Sequence, residues 1–125
     1  MGKLYGGQRV VLDNNISLTQ LQGYNAMFKL LDYYYKKTKS DDLGSLLGVM
    51  CFFVDGSTVD PAIWEDWTDA IHDKKTLIKQ EAFNGMIRFL EIYYDFTSSA
   101  DAKMLIDKLR LAKDCNDINV LIVKQ

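Results

Sequence analysis

Carboxylates dominate the part of the sequence where a functional site would be sought. Between Asp41 and Asp73 the chain carries no lysine or arginine and eight acids, namely Asp41, Asp42, Asp55, Asp60, Glu65, Asp66, Asp69 and Asp73. Paired carboxylates serve as acid and base when an apolar setting separates their pKa values, and they also bind basic partners. Because none of them stands in an apolar setting, the sequence favours a binding role or a merely solvated face.

This acidic segment makes the chain dipolar. The net charge of the whole chain is −2, from 17 acids and 15 bases. The acidic segment carries −8, so the remaining chain, with nine acids and all 15 bases, carries +6. A basic protein is therefore the partner type that the charge distribution suggests. The alternative is that the acids only keep one face solvated.

Other reactive side chains are few. The single histidine, His72, is expected on the polar, exposed side of a helix, and Cys51 lies in an apolar run where burial would leave its thiol inert. A small hydrolase that uses Cys51 or His72 stays a minor alternative. Asp55-Gly56 lacks the ligand series of a calcium loop. We therefore expect no catalytic residue, no metal and no cofactor.

Nucleic-acid binding is also poorly supported by composition. The basic residues are scattered, and the pI is about 5.3. The triplet Tyr33-Tyr34-Tyr35 could stack on bases, but it fits equally the core and edge of a helix. We expect the tyrosines to be core, and no direct contact with nucleic acid.

The elements that must position these residues repeat along the chain. Residues 18–38 and 77–97 align without a gap at an offset of 59 residues, with seven of 21 positions identical. Apolar residues in both stretches have helical spacing, and the match continues across a Ser/Thr/Asp turn into a second apolar stretch. The sequence predicts a helix pair that is duplicated, with repeats over residues 18–47 and 77–106.

Local signals divide the rest of the chain. Ser17 is the expected cap of the first helix, Ser40 or Asp41 of the second and Thr76 of the fourth, and Asp60-Pro61 begins the third. The third helix places Glu65, Asp66, Asp69 and Asp73 opposite its apolar face. The fifth helix, about residues 100–113, is expected to turn Met104 inward, and Gly44 and Gly48 suggest a close helix contact.

The expected fold is mainly α, a single domain of five helices over residues 1–125. A short ribbon that pairs Val10–Leu12 with Val120–Val123 would join the chain ends. No apolar run is long enough for a transmembrane helix, and the N-terminus has no signal-peptide core, so a cytoplasmic protein is expected, with no membrane partner. Cys51 and Cys115 are then expected as buried thiols.

Two motifs resemble a known family. Ser40 to Gly48 reads SDDLGSLLG, and Asp55 to Trp67 contains D-G-x3-D-P-x2-W-E-D-W. Together with the tyrosine-rich helix before them they resemble small bacterial immunity proteins of contact-dependent growth inhibition and related polymorphic toxin systems. The resemblance covers about residues 18–106. It implies a cytoplasmic protein without catalytic activity that binds and neutralises a toxin domain delivered by a neighbouring cell. It assigns no residue roles.

The functional prediction combines the resemblance with the charge pattern. We expect an immunity protein that occludes the active site or substrate surface of a cognate toxin C-terminal domain, with a basic nuclease as the partner type that carboxylates would suit. The predicted interface consists of Asp41, Asp42, Asp55, Trp64, Glu65, Asp66, Asp69 and Asp73. The alternative is a helical adaptor or regulator that binds a cytoplasmic protein other than a toxin.

Overall fold

A computed structural model describes residues 17–51 and 60–112, and this part of the chain is mainly helical. Two short strands, β1 (Leu18–Thr19) and β2 (Thr76–Leu77), pair in an antiparallel ribbon. The helices are α1 (Gln20–Thr38), α2 (Asp41–Met50), α3 (Pro61–Ala70), α4 (Lys79–Thr97) and α5 (Ala100–Leu111). The prediction of a mainly helical fold with five helices is confirmed, and the ribbon that is present joins segments other than the chain ends.

The duplicated sequence folds into duplicated structure. Each copy is a two-residue strand, a 19-residue helix, a tight turn and a shorter helix. The two turns agree in detail, since Lys39 and Ser98 both adopt the left-handed conformation at the C-cap of the long helix. In each turn a serine, Ser40 or Ser99, then caps the next helix by accepting a backbone N–H bond on its side chain.

The two copies are related by a pseudo-two-fold axis. At one end of the molecule, Leu18 pairs with Leu77, its own equivalent in the repeat. At the other end, Ser40 Oγ donates to Asp101 Oδ2 and Ser99 Oγ donates to Asp42 Oδ2, both at 2.6 Å. We call this reciprocal pair the serine clasp. Because α1 and α4 both begin at the ribbon and end at the clasp, they run side by side in the same direction.

Among the described residues, helix α3 has no counterpart in this symmetry, and it packs against both copies of the repeat. Its Trp67 is fully buried, with Nε1 donating to the backbone oxygen of Gln20 at 3.0 Å. The packing is close because glycines lie at the contacts: a Cβ on Gly23 would lie 3.0 Å from Cζ2 of Trp67, and one on Gly85 would lie 2.5 Å from Cγ2 of Ile71. The glycines thus allow α3 to approach α1 and α4 closely.

Several local predictions are wrong. Helix α1 is capped by Thr19 rather than Ser17, and α4 begins after Ile78 rather than Thr76, because the preceding residues form the ribbon. Met104 is 60% exposed, since it lies on the outer side of α5.

Two further expectations need correction. Gly44 does meet a close neighbour, with its Cβ position 2.9 Å from Cε1 of Tyr35, but Gly48 has open space around it. Cys51 follows the end of α2 and is exposed rather than buried. The predicted ribbon partners, Val10–Leu12 and Val120–Val123, and the second cysteine, Cys115, lie outside the described residues. Within the described ranges, no helix is long and apolar enough to cross a membrane.

Candidate functional site: the acidic face of α3

Three carboxylates project from the face of α3 opposite its buried tryptophan. Glu65 and Asp69 are exposed, one helical turn apart, and Asp66 lies between them, partly exposed. We call these three residues the acidic stripe. The helix below them is capped at its N-terminus, where Asp60 Oδ1 accepts from the N–H of Ala62 at 2.9 Å, and it is joined to α4 at its C-terminus, where the Arg88 guanidinium donates to the carbonyl oxygen of Ala70. The stripe therefore sits on a fixed support.

The acids of the stripe lie close enough in the folded protein to repel one another. Burial raises the pKa of the Asp66 carboxyl above its ordinary value, and the negative charges of Asp69, Glu65 and Asp60 raise it further. Each of these neighbours makes ionisation of Asp66 harder. When all three are ionised, the side chains form a concentrated negative surface, and their mutual repulsion does not favour folding.

No basic side chain of the described part of the chain neutralises the stripe. The ion pairs within residues 17–51 and 60–112 join Lys36 to Asp32, Lys74 to Glu81, Lys75 to Asp73, Lys103 to Asp107 and Arg110 to Glu91. Asp69 also lies in the last turn of α3, where the helix dipole disfavours an anion. Carboxylates without a basic partner among the described residues are the pattern expected of a surface that binds a cation of another molecule.

Trp64 stands beside the stripe. Its side chain is half-buried, and its ring packs against that of Tyr24 with 5.3 Å between centroids and 56° between planes. Tyr24 in turn is fully buried and donates its hydroxyl to the carbonyl oxygen of Met50 at 3.1 Å. The exposed part of Trp64 is therefore a rigid apolar edge on the same helix as the three carboxylates, which suits an anchor residue of an interface.

The other predicted interface residues have different surroundings. Asp42 accepts a hydrogen bond in the serine clasp, so its carboxylate holds the two copies together. Asp73 accepts from Gln20 Nε2 at 3.1 Å and from Lys75 Nζ at 3.2 Å, and these bonds lower the pKa of its carboxyl. Asp41 is exposed in the first turn of α2. Asp55 lies outside the described residues. The structure thus brings together Glu65, Asp66 and Asp69, and it places Trp64 on a different side of the same helix, against Tyr24.

Neither His72 nor Cys51, the two side chains considered for catalysis, has the surroundings of a catalytic residue. His72 is exposed, as predicted, in the turn after α3, and it adopts a positive φ of 58°. The thiol of Cys51 contacts only the carbonyl oxygen of Leu47 among the hydrogen bonds of the described residues. Over those same residues, no group of three or more His, Cys, Asp or Glu side chains could hold a metal ion.

Comparison with known proteins finds no matching family model, no matching curated protein and no matching solved structure. The site must therefore be interpreted from its own geometry and charge.

Sequence reasoning missed two features of this surface. Asp60 was predicted only as a helix cap, yet it is close enough to raise the pKa of Asp66. Their separation of six residues in the sequence does not indicate this proximity. Arg88 was not predicted to fix α3, although its equivalent in the first copy, Lys29, keeps a positive charge at the same position. The repeat alignment was therefore the one signal that marked this position as basic.

Proposed function

We propose that this protein is an immunity protein that binds a cognate basic toxin domain through the acidic stripe and Trp64. The observation that carries the proposal is a stripe that no basic residue of the described ranges neutralises, on a helix that Asp60 caps and Arg88 joins to α4. The resemblance of the sequence motifs to immunity proteins of contact-dependent growth inhibition systems agrees with it. In this role the protein blocks the toxin by covering its active site or substrate surface.

The charge arrangement suits fast capture of a toxin. Negative charge on one face steers a basic partner during diffusion and speeds association, most strongly at low ionic strength. A fixed helix requires little reordering when the complex forms, so less binding energy is lost to entropy. Carboxylates also match a toxin surface that normally contacts phosphates, which makes a nuclease the partner class that fits best.

The test uses the toxin C-terminal domain encoded beside the gene. The full chain and that domain are co-produced, and we expect a stoichiometric complex and protection of cells that express the toxin. A variant that carries Glu65→Lys, Asp66→Lys and Asp69→Lys should lose protection while it keeps the helical circular dichroism of the wild type. Failure of the wild-type chain to bind or protect would contradict the proposal.

The second candidate is an adaptor or regulator that binds a non-toxin protein. The same stripe and tryptophan would serve it, so the geometry of α3 does not separate the two. A gene neighbourhood without a toxin-coding segment, together with capture of a basic protein of another kind by the wild type and not by the triple variant, would favour this candidate.

A further inference from the structure

A second surface lies where α1 meets α5, close to the serine clasp. Its centre is a shallow, open groove with a volume of about 40 Å³ between the two helices. The floor of the groove is mainly apolar and is formed by Tyr34, Leu43, Met104 and Leu105, while Lys108, Thr38 and Asp101 line its edges. We call this the α1–α5 groove. The exposed side chain of Met104 offers an apolar contact to a side chain from outside.

One lysine, Lys108, lines an edge of this groove, and a second, Lys37, lies beside the neighbouring ring of Tyr33. Lys108 Nζ lies 5.8 Å from the ring centroid of Tyr34, and Lys37 Nζ lies 5.3 Å from that of Tyr33. The rings of Tyr33 and Tyr34 meet edge to face at 5.3 Å, so the four side chains form one continuous row. Within the described part of the chain, neither Lys37 nor Lys108 forms an ion pair with a carboxylate.

The pseudo-two-fold axis provides an internal comparison for this groove. Four residues of the groove have identical residue types at the equivalent positions of the other copy: Tyr34, Thr38, Asp101 and Leu105 correspond to Tyr93, Thr97, Asp42 and Leu46. Three residues of this surface differ from their equivalents: Lys108 corresponds to Val49, Met104 to Ser45 and Lys37 to Phe96. Since the same helix pair forms without them, the fold does not require the lysines or the exposed methionine.

We propose that the α1–α5 groove binds an acidic protein segment, which inserts an apolar side chain over Met104 and Leu105 and places carboxylates against Lys37 and Lys108. The apolar floor and the cationic edge define this partner by complementarity. Asp101 directs its carboxylate to Ser40 at 2.6 Å, so it is already engaged within the clasp. The groove differs in sign from the acidic stripe, and the proposal does not rest on the immunity function.

Nucleic acid fits this surface less well than an acidic segment does. Bases would need free ring faces for stacking, but the faces of Tyr33 and Tyr34 already carry the ammonium groups of Lys37 and Lys108. The floor is aliphatic rather than aromatic apart from Tyr34. The net charge of −2 also opposes a polyanion more than it opposes a short acidic segment.

The test is selection of a displayed random peptide library on the full wild-type chain, followed by fluorescence anisotropy with the enriched peptides. We expect enriched peptides with net negative charge and an apolar residue flanked by Asp or Glu. Lys108→Glu should weaken their binding about tenfold, since an attraction becomes a repulsion. Met104→Glu should weaken it at least as much because it places a charge on the apolar floor.

The symmetry supplies matched controls. Val49→Glu and Ser45→Glu introduce the same charge at the equivalent positions of the other copy and should change binding less than about twofold. Both test positions are exposed, and unchanged thermal unfolding will show that each variant folds. Enriched peptides that are neutral or basic, equal losses in the control variants, or no enrichment would overturn the proposal. Self-association or oligonucleotide binding that depends on Lys108, without acidic peptides, would overturn it too.

Discussion

The hydroxyl of Ser40 donates a hydrogen bond to the carboxylate of Asp101, 2.6 Å away in the other copy of the repeat. Ser99 makes the equivalent bond to Asp42 at the same distance. Each serine is also the N-cap of its own helix, accepting from the N–H of Leu43 or Ala102 at 3.2 Å. One side chain thus ends a turn, begins a helix and joins the two halves of the molecule.

The first prediction concerns these serines. Ser40→Ala removes both the cap and the bond to a charged acceptor, and we expect it to lower the free energy of unfolding by about 2–4 kcal/mol. Ser99→Ala should cost a similar amount because its contacts are equivalent. Urea denaturation of both variants measures this. Ser45→Ala, at an exposed site on α2, serves as the control and should change stability by less than about 0.5 kcal/mol.

The second prediction concerns the glycines that face α3. Gly85→Ala places a methyl group 2.5 Å from Cγ2 of Ile71, a stiff branched side chain, and should destabilise the protein by about 1–3 kcal/mol. Gly48→Ala is the matched control in another helix with open space around it, and it should stabilise by about 0.5–1 kcal/mol. Opposite shifts of the thermal midpoint are expected. If Gly85→Ala were stabilising, the close packing of α3 against α4 would be wrong.

The third prediction separates stability from binding. Asp69→Lys relieves repulsion within the stripe and reverses an unfavourable charge in the last turn of α3, so we expect a gain of about 0.5–1 kcal/mol in stability. The same change should slow association with a basic partner several-fold, which stopped-flow fluorescence would measure.

Asp95→Lys is the control for this experiment. Asp95 is an exposed acid in the last turn of α4, so its replacement should also stabilise, yet it lies outside the stripe. Association of Asp95→Lys should match that of the wild type. Equal slowing in both variants would mean that overall charge, and not the stripe, governs encounter with the partner.

The fourth prediction concerns pH. Burial and neighbouring acids raise the pKa of the Asp66 carboxyl in the folded state, so the folded protein holds this proton more tightly than the unfolded chain. The contribution of Asp66 to stability therefore falls as pH rises from its unfolded pKa through its raised folded pKa. Asp66→Asn should stabilise the protein at neutral pH, and the difference should disappear in acid. Denaturant titrations across that range test the sign, and a constant difference would contradict it.

Short-range signals in the sequence predicted most of the helices. Asp60 and Ser40 cap where expected, and Pro61 begins α3, because capping depends on residues within one turn. The duplicated helix pair followed from the ungapped alignment. Trp67 is fully buried on the side of α3 away from Glu65 and Asp69, as the prediction of an acidic face opposite an apolar one requires.

Features that depend on distant residues could not be predicted in the same way. The pairing of Leu18 with Leu77 involves strands of two residues, too short to show a period in the sequence. Asp42 looked like an exposed acid in a first helical turn, and only the approach of Ser99 from the second copy gives it a structural role. Met104 was misplaced because its helix packs on one side only.

The duplication also bears on how many partners one molecule can hold. Two equivalent halves would ordinarily offer two equivalent docking positions, but α3 interrupts that equivalence. The 59-residue offset sets Val123, Lys124 and Gln125 against Trp64, Glu65 and Asp66, so the anchoring indole and the anions are absent from the matching stretch of the sequence. A complex formed through the stripe should accordingly be monovalent, with a single partner molecule per chain despite the doubled architecture.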